Sequence, residues 1–221
     1  MPSHWSIWIL ALGLGYLFGS IPVGYLLVGW VRGVDVRTVG SGRTGGTNVM
    51  RAAGWPLALA TGVGDVLKGG LPVLIAKWLN CPPLIHALTG VLAVVGHNYS
   101  LFLSFRGGAG TGTSIGSAMG LWPWSGLLTI PSLFGIIAIT RRASMGSIAL
   151  ALAIPTVFVV RAALGLGPWA YVVHGIVTAL LTLWSLRPNI QRLLHGEERK
   201  VDLVGEKTKH EKRYKYPRSS A

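Results

Sequence analysis

Between Val39 and Arg51 the chain reads VGSGRTGGTNVMR: Gly40, Gly42, Gly45 and Gly46 alternate with Ser41, Arg43 and Thr47, and Asn48 and Arg51 follow. Glycine lets successive backbone N–H groups converge on one oxyanion, and hydroxyls with nearby arginines suit phosphate in particular. A second stretch of the same kind, Arg106-Gly107-Gly108-Ala109-Gly110-Thr111-Gly112-Thr113, opens an apolar run, which sets its N–H groups at a helix N-terminus. The chemistry indicated is the holding of two phosphate groups. Close helix packing or flexible turns would call for the same glycines, and that reading stays open.

Three further signals lie between and beyond these loops. Asp35 and Asp65 are the only acids before Glu197, and Asp65 falls inside an apolar run with Lys68 three residues on, GDVLKGG. That spacing puts both on one helix face, where they can pair. Ionisable groups at such depth usually line a polar cavity, and a structural ion pair is the alternative. His97, in VVGHNYS, is a candidate base or a packed, hydrogen-bonded histidine. The segment RPNIQRLLHGEE carries Asn189, and its basic character also fits an anchor to anionic lipid.

The elements that must position these residues are membrane spans. Of the 221 residues 51% are apolar and 12% charged, a balance unlike that of a soluble domain. The net charge of +13 suggests nucleic acid, but ten of the twenty Lys and Arg lie from Arg187 onward and most others sit between apolar runs. Basic loops of a membrane protein have that distribution; a basic groove does not. The lone Cys81 excludes an intrachain disulfide, and no Cys/His cluster has zinc spacing. The N-terminus lacks the basic start of a cleavable signal, so the first segment is expected to be retained.

Bilayer-length runs occupy about 5–31, 55–78, 83–105, 144–163 and 169–187. The stretch 110–139, interrupted by LWPWSG, reads as one kinked helix or two short ones. Two helices give seven spans and put seventeen basic residues on one side, with only Lys77 and Arg161 on the other. The expectation is an all-α membrane protein of seven transmembrane helices, N-terminus outside and C-terminus cytoplasmic. Its fourth helix is short, about 20 Å against a core of roughly 30 Å, so its start is expected either in a thin bilayer or recessed in a cavity. A transmembrane domain over 1–190 and a basic cytoplasmic tail over 191–221 complete the division. Trp5, Trp8, Trp78, Trp122, Trp124 and Trp169 fall at outer ends and Trp30, Trp55 and Trp184 at inner ends, as an interfacial belt requires.

Together these residues resemble the bacterial acyl-phosphate:glycerol-3-phosphate acyltransferase family, from about Gly19 to Glu197. GSGRTGGTNVMR is similar to that family's GSGNxGATNxxR, GDVLKG to DxxKG, and GHNYSLFLSFRGGAGTGTSIG to GHxFPxFxxFxGGKGVATxxG. GSIPVGYLL, SMGSI and NIQRLLHGEE resemble its remaining motifs. The resemblance implies transfer of a fatty acyl group from acyl phosphate to the 1-hydroxyl of glycerol 3-phosphate, giving lysophosphatidic acid and phosphate. It also implies residence in the bacterial inner membrane with the active site on the cytoplasmic face. No cofactor or metal is expected, and the functional link is to the soluble enzyme that makes acyl phosphate from acyl-carrier protein. The alternatives are a non-catalytic relative that binds acyl phosphate or anionic lipid, and a small-anion transporter.

On this reading the N–H groups from Ser41 to Thr47, with Arg43 and Arg51, hold one phosphate, and the loop from Gly107 to Thr113 holds the other. Ser41, Thr47, Asn48 and Asn189 orient oxygens, Asp65 with Lys68 organises the cavity floor, and His97 is the protein's best candidate base. Four positions depart from the family pattern. Ala109 stands where GGKG has lysine, Leu186 where HRxN has histidine, Arg43 where GSGN has asparagine, and Ser100 where GHxFP has proline. The lysine and histidine are active-site positions in the family. If the two loops face each other, Arg43 is expected to supply the charge missing at Ala109.

Overall fold

The computed structural model describes residues 4–201; residues 1–3 and the rest of the expected basic tail, 202–221, lie outside the described residues. Every regular element among the described residues is helical. In chain order these are α1 (His4–Ser20), α2 (Val23–Arg32), α3 (Gly46–Ala53), α4 (Trp55–Trp78), α5 (Pro83–Asn98), α6 (Thr111–Leu121), α7 (Ser125–Thr140), α8 (Ala143–Ala163), α9 (Ala170–Ser185) and α10 (Arg187–Leu194), with 3₁₀ turns at Val36–Thr38 and Leu101–Leu103.

Among the described residues four stretches are long and apolar enough to cross a membrane: His4–Arg32, Trp55–Trp78, Pro83–Leu103 and Ala143–Ala163. A fifth arises if α9 and α10, bent by 62° at their junction, count together. Helix α7 is apolar but shorter, at 16 residues. Helix α6, with 11 residues, is only about 16 Å long. The run expected as one span over 5–31 breaks between α1 and α2. Pro22 lacks an N–H and its ring opposes continuation. Side chains from elsewhere meet the carbonyls at the break: Ser100 Oγ donates to Ser20 O at 2.5 Å and Lys68 Nζ to Ile21 O at 2.6 Å.

Helix α4 displays the solvent the bundle is built for. Leu59, Val63, Leu67, Leu71, Leu74 and Trp78 form an exposed stripe at helical spacing, while Thr61, Asp65 and Lys68 are buried on the other face. A helix in water has the reverse pattern, so the medium outside this one is apolar.

Helix α6 lies inside the bundle, with Thr113 to Ala118 all buried. It runs parallel to α4 at backbone contact. A Cβ at Gly116 would strike the Val66 carbonyl, and one at Gly69 would strike that of Thr113. Small residues at such a seam are how helices associate where lipid supplies no hydrophobic drive. The register follows: Gly112 meets Gly62 and Asp65, Gly120 meets Gly70 and Val73, and Lys77 Nζ donates to Leu121 O. Level with Gly62, seven residues in from Trp55, α6 begins about 10 Å inside the end of α4. The start of the short helix is thus set back from the end of its neighbour α4.

The division expected at residue 190 cuts through α10, and the chain beyond it returns to the bundle. Glu198 and Val201 are buried, and Val201 N–H donates to Arg141 O at 2.6 Å.

Candidate functional site

The first glycine-rich loop is wound around one side chain. Asn48 Oδ1 accepts the Ser41 N–H at 3.0 Å, and Nδ2 donates to the carbonyls of Val36, Val39 and Arg43 at 2.9, 3.0 and 2.8 Å. Both the oxygen and the nitrogen of its side chain are bonded to the backbone, so Asn48 shapes the loop. Gly40 takes a left-handed φ of 54° with its α-carbon against Asn48 Oδ1, where any Cβ would collide. Arg51 passes beside Gly40, and Gly45, Gly46 and Thr47 lead into α3. A small apolar cluster of Val28, Val36, Val49, Ala53 and Ala58 holds the loop to the helices around it.

Arg43 leaves this loop for the junction of α9 and α10. Its Nη1 donates to Asn189 Oδ1 at 2.8 Å and its Nη2 to the Ser185 carbonyl. Asn189 in turn donates to Glu198 Oε1 at 2.7 Å, which also accepts from Ser144 Oγ at 2.8 Å, while Arg192 Nε reaches Oε2 at 2.9 Å. Burial presses the Arg43 pKa below its ordinary value, with Arg192 adding to the effect and Glu198 opposing it. Burial pushes the Glu198 carboxyl up, but hydrogen bonds from Asn189, Ser144 and Arg192 more than offset this and hold it below the usual range.

The second loop folds back on the end of α5. Gly107 N–H donates to Asn98 O and Gly108 N–H to His97 O, both at 3.1 Å. Gly108 rests on the Nε2 edge of the His97 ring, and Gly110, at φ 88°, lies against Asn98 Oδ1. Helix α6 then starts at Thr111, whose Oγ1 donates to Ser147 Oγ at 3.0 Å. Its first turn has N–H groups without intrahelical partners, as every helix start has. Thr113 faces the α4 seam and is fully buried.

Ser185 joins the two loops. Its carbonyl takes Arg43, and its hydroxyl accepts from Asn98 Nδ2 at 2.9 Å, beside Gly110. Both loops also flank the same turn of α4, since Thr44 O and Thr61 meet at Gly24, and Gly112 lies over Gly62. They therefore open at one end of the bundle, on one side.

Beneath the start of α6, Lys68 Nζ stands 3.0 Å from Asp65 Oδ1, and His97 Nδ1 is 3.5 Å from the same oxygen. All three are buried. With Lys68 also holding Ile21 O, the pair fastens the α1–α2 break to α4 under both loops. His97 is wedged between this pair and Gly108, which makes it a support of the second loop. Ala109 is half-buried and Leu186 is 3% exposed in the turn between Ser185 and Asn189. Among the described residues no group of three or more His, Cys, Asp or Glu could hold a metal ion.

Sequence reasoning named Arg43, Asn189, Asp65, Lys68 and His97, and the structure brings them to one end of the bundle. It missed Asn98, Ser147, Ser185 and Glu198. Asn98 adjoins His97 and was within reach; Glu198 was concealed in a charged segment that reads as solvated tail.

The family profile described as Glycerol-3-phosphate acyltransferase matches residues 9–196. The glycerol-3-phosphate acyltransferase of one Thermus thermophilus strain is 44% identical over 196 residues, covering 89% of this chain and 95% of that protein. The one from Parasynechococcus marenigrum is 40% identical over 194 residues, covering 87% and 89%. The crystal structure of PlsY (YgiH), an integral membrane glycerol 3-phosphate acyltransferase, in its glycerol 3-phosphate form matches with a TM-score of 0.80 at 33% identity, covering 88% of this chain and 96% of that one. Its lysophosphatidic acid form matches with a TM-score of 0.78 at 32% identity, covering 87% and 94%.

Proposed function

This chain belongs to the glycerol-3-phosphate acyltransferase family, and on that premise we propose that it transfers a fatty acyl group from acyl phosphate to the 1-hydroxyl of glycerol 3-phosphate. The products are lysophosphatidic acid and inorganic phosphate. The observation that carries the reading is the meeting of both loops at Ser185, which sets two anion-binding elements within one opening.

In the proposed complex the N–H groups from Ser41 to Thr47, with Arg43 and Arg51, hold one phosphate. The turn Gly107, Gly108, Gly110 and Thr111 and the open N–H groups of α6 hold the other, where the helix dipole favours negative charge. The hydroxyl oxygen forms the ester bond to the acyl carbon as the bond from that carbon to the phosphate oxygen breaks. The phosphate leaves with the electron pair and takes the hydroxyl proton. No protein base is then required, consistent with His97 being wedged beneath the second loop. Fixing both reactants supplies most of the acceleration, because orientation alone is worth roughly 7–11 kcal/mol in favourable cases.

Lipid access is proposed through a groove of about 630 Å³ on the outside of α9, lined by Tyr99, Val177, Leu180, Leu181, Leu183, Trp184, Arg187 and Ile190. Tyr99, Trp184 and Ile190 are chain neighbours of Asn98, Ser185 and Asn189, so an apolar chain lying there would end at the polar opening.

We further propose seven spans, counting α6 and α7, with the N-terminus outside and the two loops on the cytoplasmic face of the bacterial inner membrane. The sequence supports this, since a seven-span order would put seventeen basic residues on the loop side and only Lys77 and Arg161 on the other. The catalytic domain is taken to run through Val201, since Glu198 belongs to the Arg43 network, with the basic tail after it. Acyl phosphate would come from the soluble enzyme that draws on acyl-carrier protein.

The test is turnover by the purified protein in lipid. Lysophosphatidic acid should form from acyl phosphate and glycerol 3-phosphate with one phosphate released per ester, and not from acyl-coenzyme A. Binding of acyl phosphate without ester formation would overturn the enzymatic reading in favour of a non-catalytic relative.

A further inference from the structure

We propose that the end of the bundle opposite the two loops binds the phosphate of a phospholipid headgroup between Lys77 and Arg161. The sequence sets these residues far apart, on α4 and α8, and they are the only basic residues expected on their side of the membrane. The fold brings them to consecutive residues at the end of α6. Lys77 Nζ donates to Leu121 O at 2.6 Å, and the Arg161 guanidinium lies over the Trp122 ring at 4.6 Å. Tyr171 stands beside them, its ring 5.9 Å from Lys77 Nζ.

No carboxylate among the described residues balances this pair. The described acids are Asp35, Asp65, Glu197 and Glu198, and the ion pairs they form are with Arg37, Lys68, His97 and Arg192, none with Lys77 or Arg161. Two neighbouring cations without a counterion repel, so an anion placed between them is stabilising at both. The donors are also available. An ammonium has three N–H bonds and Leu121 takes one. The Arg161 guanidinium, over the indole and with Nη1 against Gly167, carries five N–H bonds, none of them hydrogen-bonded among the described residues.

The source of that anion follows from the level at which the pair sits. Trp78, Trp124 and Trp169, all more than half exposed, ring the same end, and tryptophan settles at the headgroup layer. The abundant anion there is the lipid phosphodiester. The site is distinct from the proposed catalytic opening, from which it is separated by the length of α6.

The experiment is native mass spectrometry of the full-length protein in detergent, titrated with phosphatidylglycerol, with inorganic phosphate as a separate arm. Wild type should retain lipid, and Lys77→Gln/Arg161→Gln should retain it roughly thirtyfold more weakly, from the usual contribution of two basic residues near an anionic surface. Arg161→Gln alone should give an intermediate loss. Both variants should keep the wild-type acyl-transfer rate, which also reports that they are folded. Equal lipid retention by wild type and the active variants overturns the proposal, as does displacement of the lipid by millimolar inorganic phosphate, which would make this a free-anion site. If acyl transfer is absent from wild type too, a wild-type melting temperature in the variants replaces the rate as the sign of folding.

Discussion

Arg43 and Ser185, 142 positions apart in the chain, are joined by a hydrogen bond from the guanidinium to the main-chain oxygen. Because the Ser185 hydroxyl also accepts from Asn98, the charge gained in one loop is tied to the base of the other, where Ala109 lacks one. The departures at Arg43 and Leu186 thus fall around a single turn of chain, to which Asn98 joins the loop that carries Ala109.

Arg43→Ala should lower acyl transfer by roughly 10²–10³-fold, the usual cost of removing one donor from a developing oxyanion. Adding Ala109→Lys should restore a large part of it. A steady-state assay with acyl phosphate decides the matter. Full activity in Arg43→Ala, or no rescue by lysine, would show that the arginine does not replace the missing charge.

Asp65→Asn should destabilise the protein by about 3–5 kcal/mol, since it strands Lys68 without its partner in an apolar interior. Asp65→Asn/Lys68→Met should be less damaging than the single change. The readout is the melting temperature of the detergent-purified protein. A double variant as unstable as the sum of two singles would mean the two residues are not coupled.

Gly116→Ala should cost about 1–3 kcal/mol, because its Cβ has to displace the Val66 carbonyl. Gly62→Ala, with no neighbouring atom within 4 Å of the added carbon, serves as the control and should be near neutral. Similar melting temperatures for the two variants would count against backbone contact between α4 and α6.

Acid should loosen the Arg43 network through Glu198. Its carboxyl is held below the ordinary value of 4.5, so its contribution is fully present above that pH and fades as pH falls below it toward the folded-state value. Melting temperature against pH should therefore drop below pH 4.5 in wild type, and the part due to this residue should vanish in Glu198→Gln. Parallel curves for the two proteins would refute the assignment.

The membrane character, the short recessed helix and the Asp65–Lys68 pair were legible because each rests on local spacing: apolar run length, a thirteen-residue segment, an i,i+3 pair. The break at Pro22 was not, since hydropathy runs through it unchanged. The carbonyls released there are met by Lys68 and Ser100 from distant segments. Ser100, a departure from the family's proline when read along the chain, earns its meaning only from Ser20. Asn48 resembled a ligand-facing residue because its amide can serve a phosphate or a backbone equally well. Pairings such as Arg43 with Asn189, or Lys77 with Arg161, depend on which helices become neighbours, and residue spacing carries none of that.

The depth at which α6 starts has a consequence for what happens after the reaction. On the orientation proposed above, a start set back about 10 Å from the end of α4 would bring water and alkane within reach of a single molecule without that molecule changing phase. With the loops on the cytoplasmic face, as proposed, a product with one tail and a charged head would already have the orientation of its neighbours in that monolayer. It would then depart sideways by lateral diffusion, with no flipping step and no journey through the cytosol.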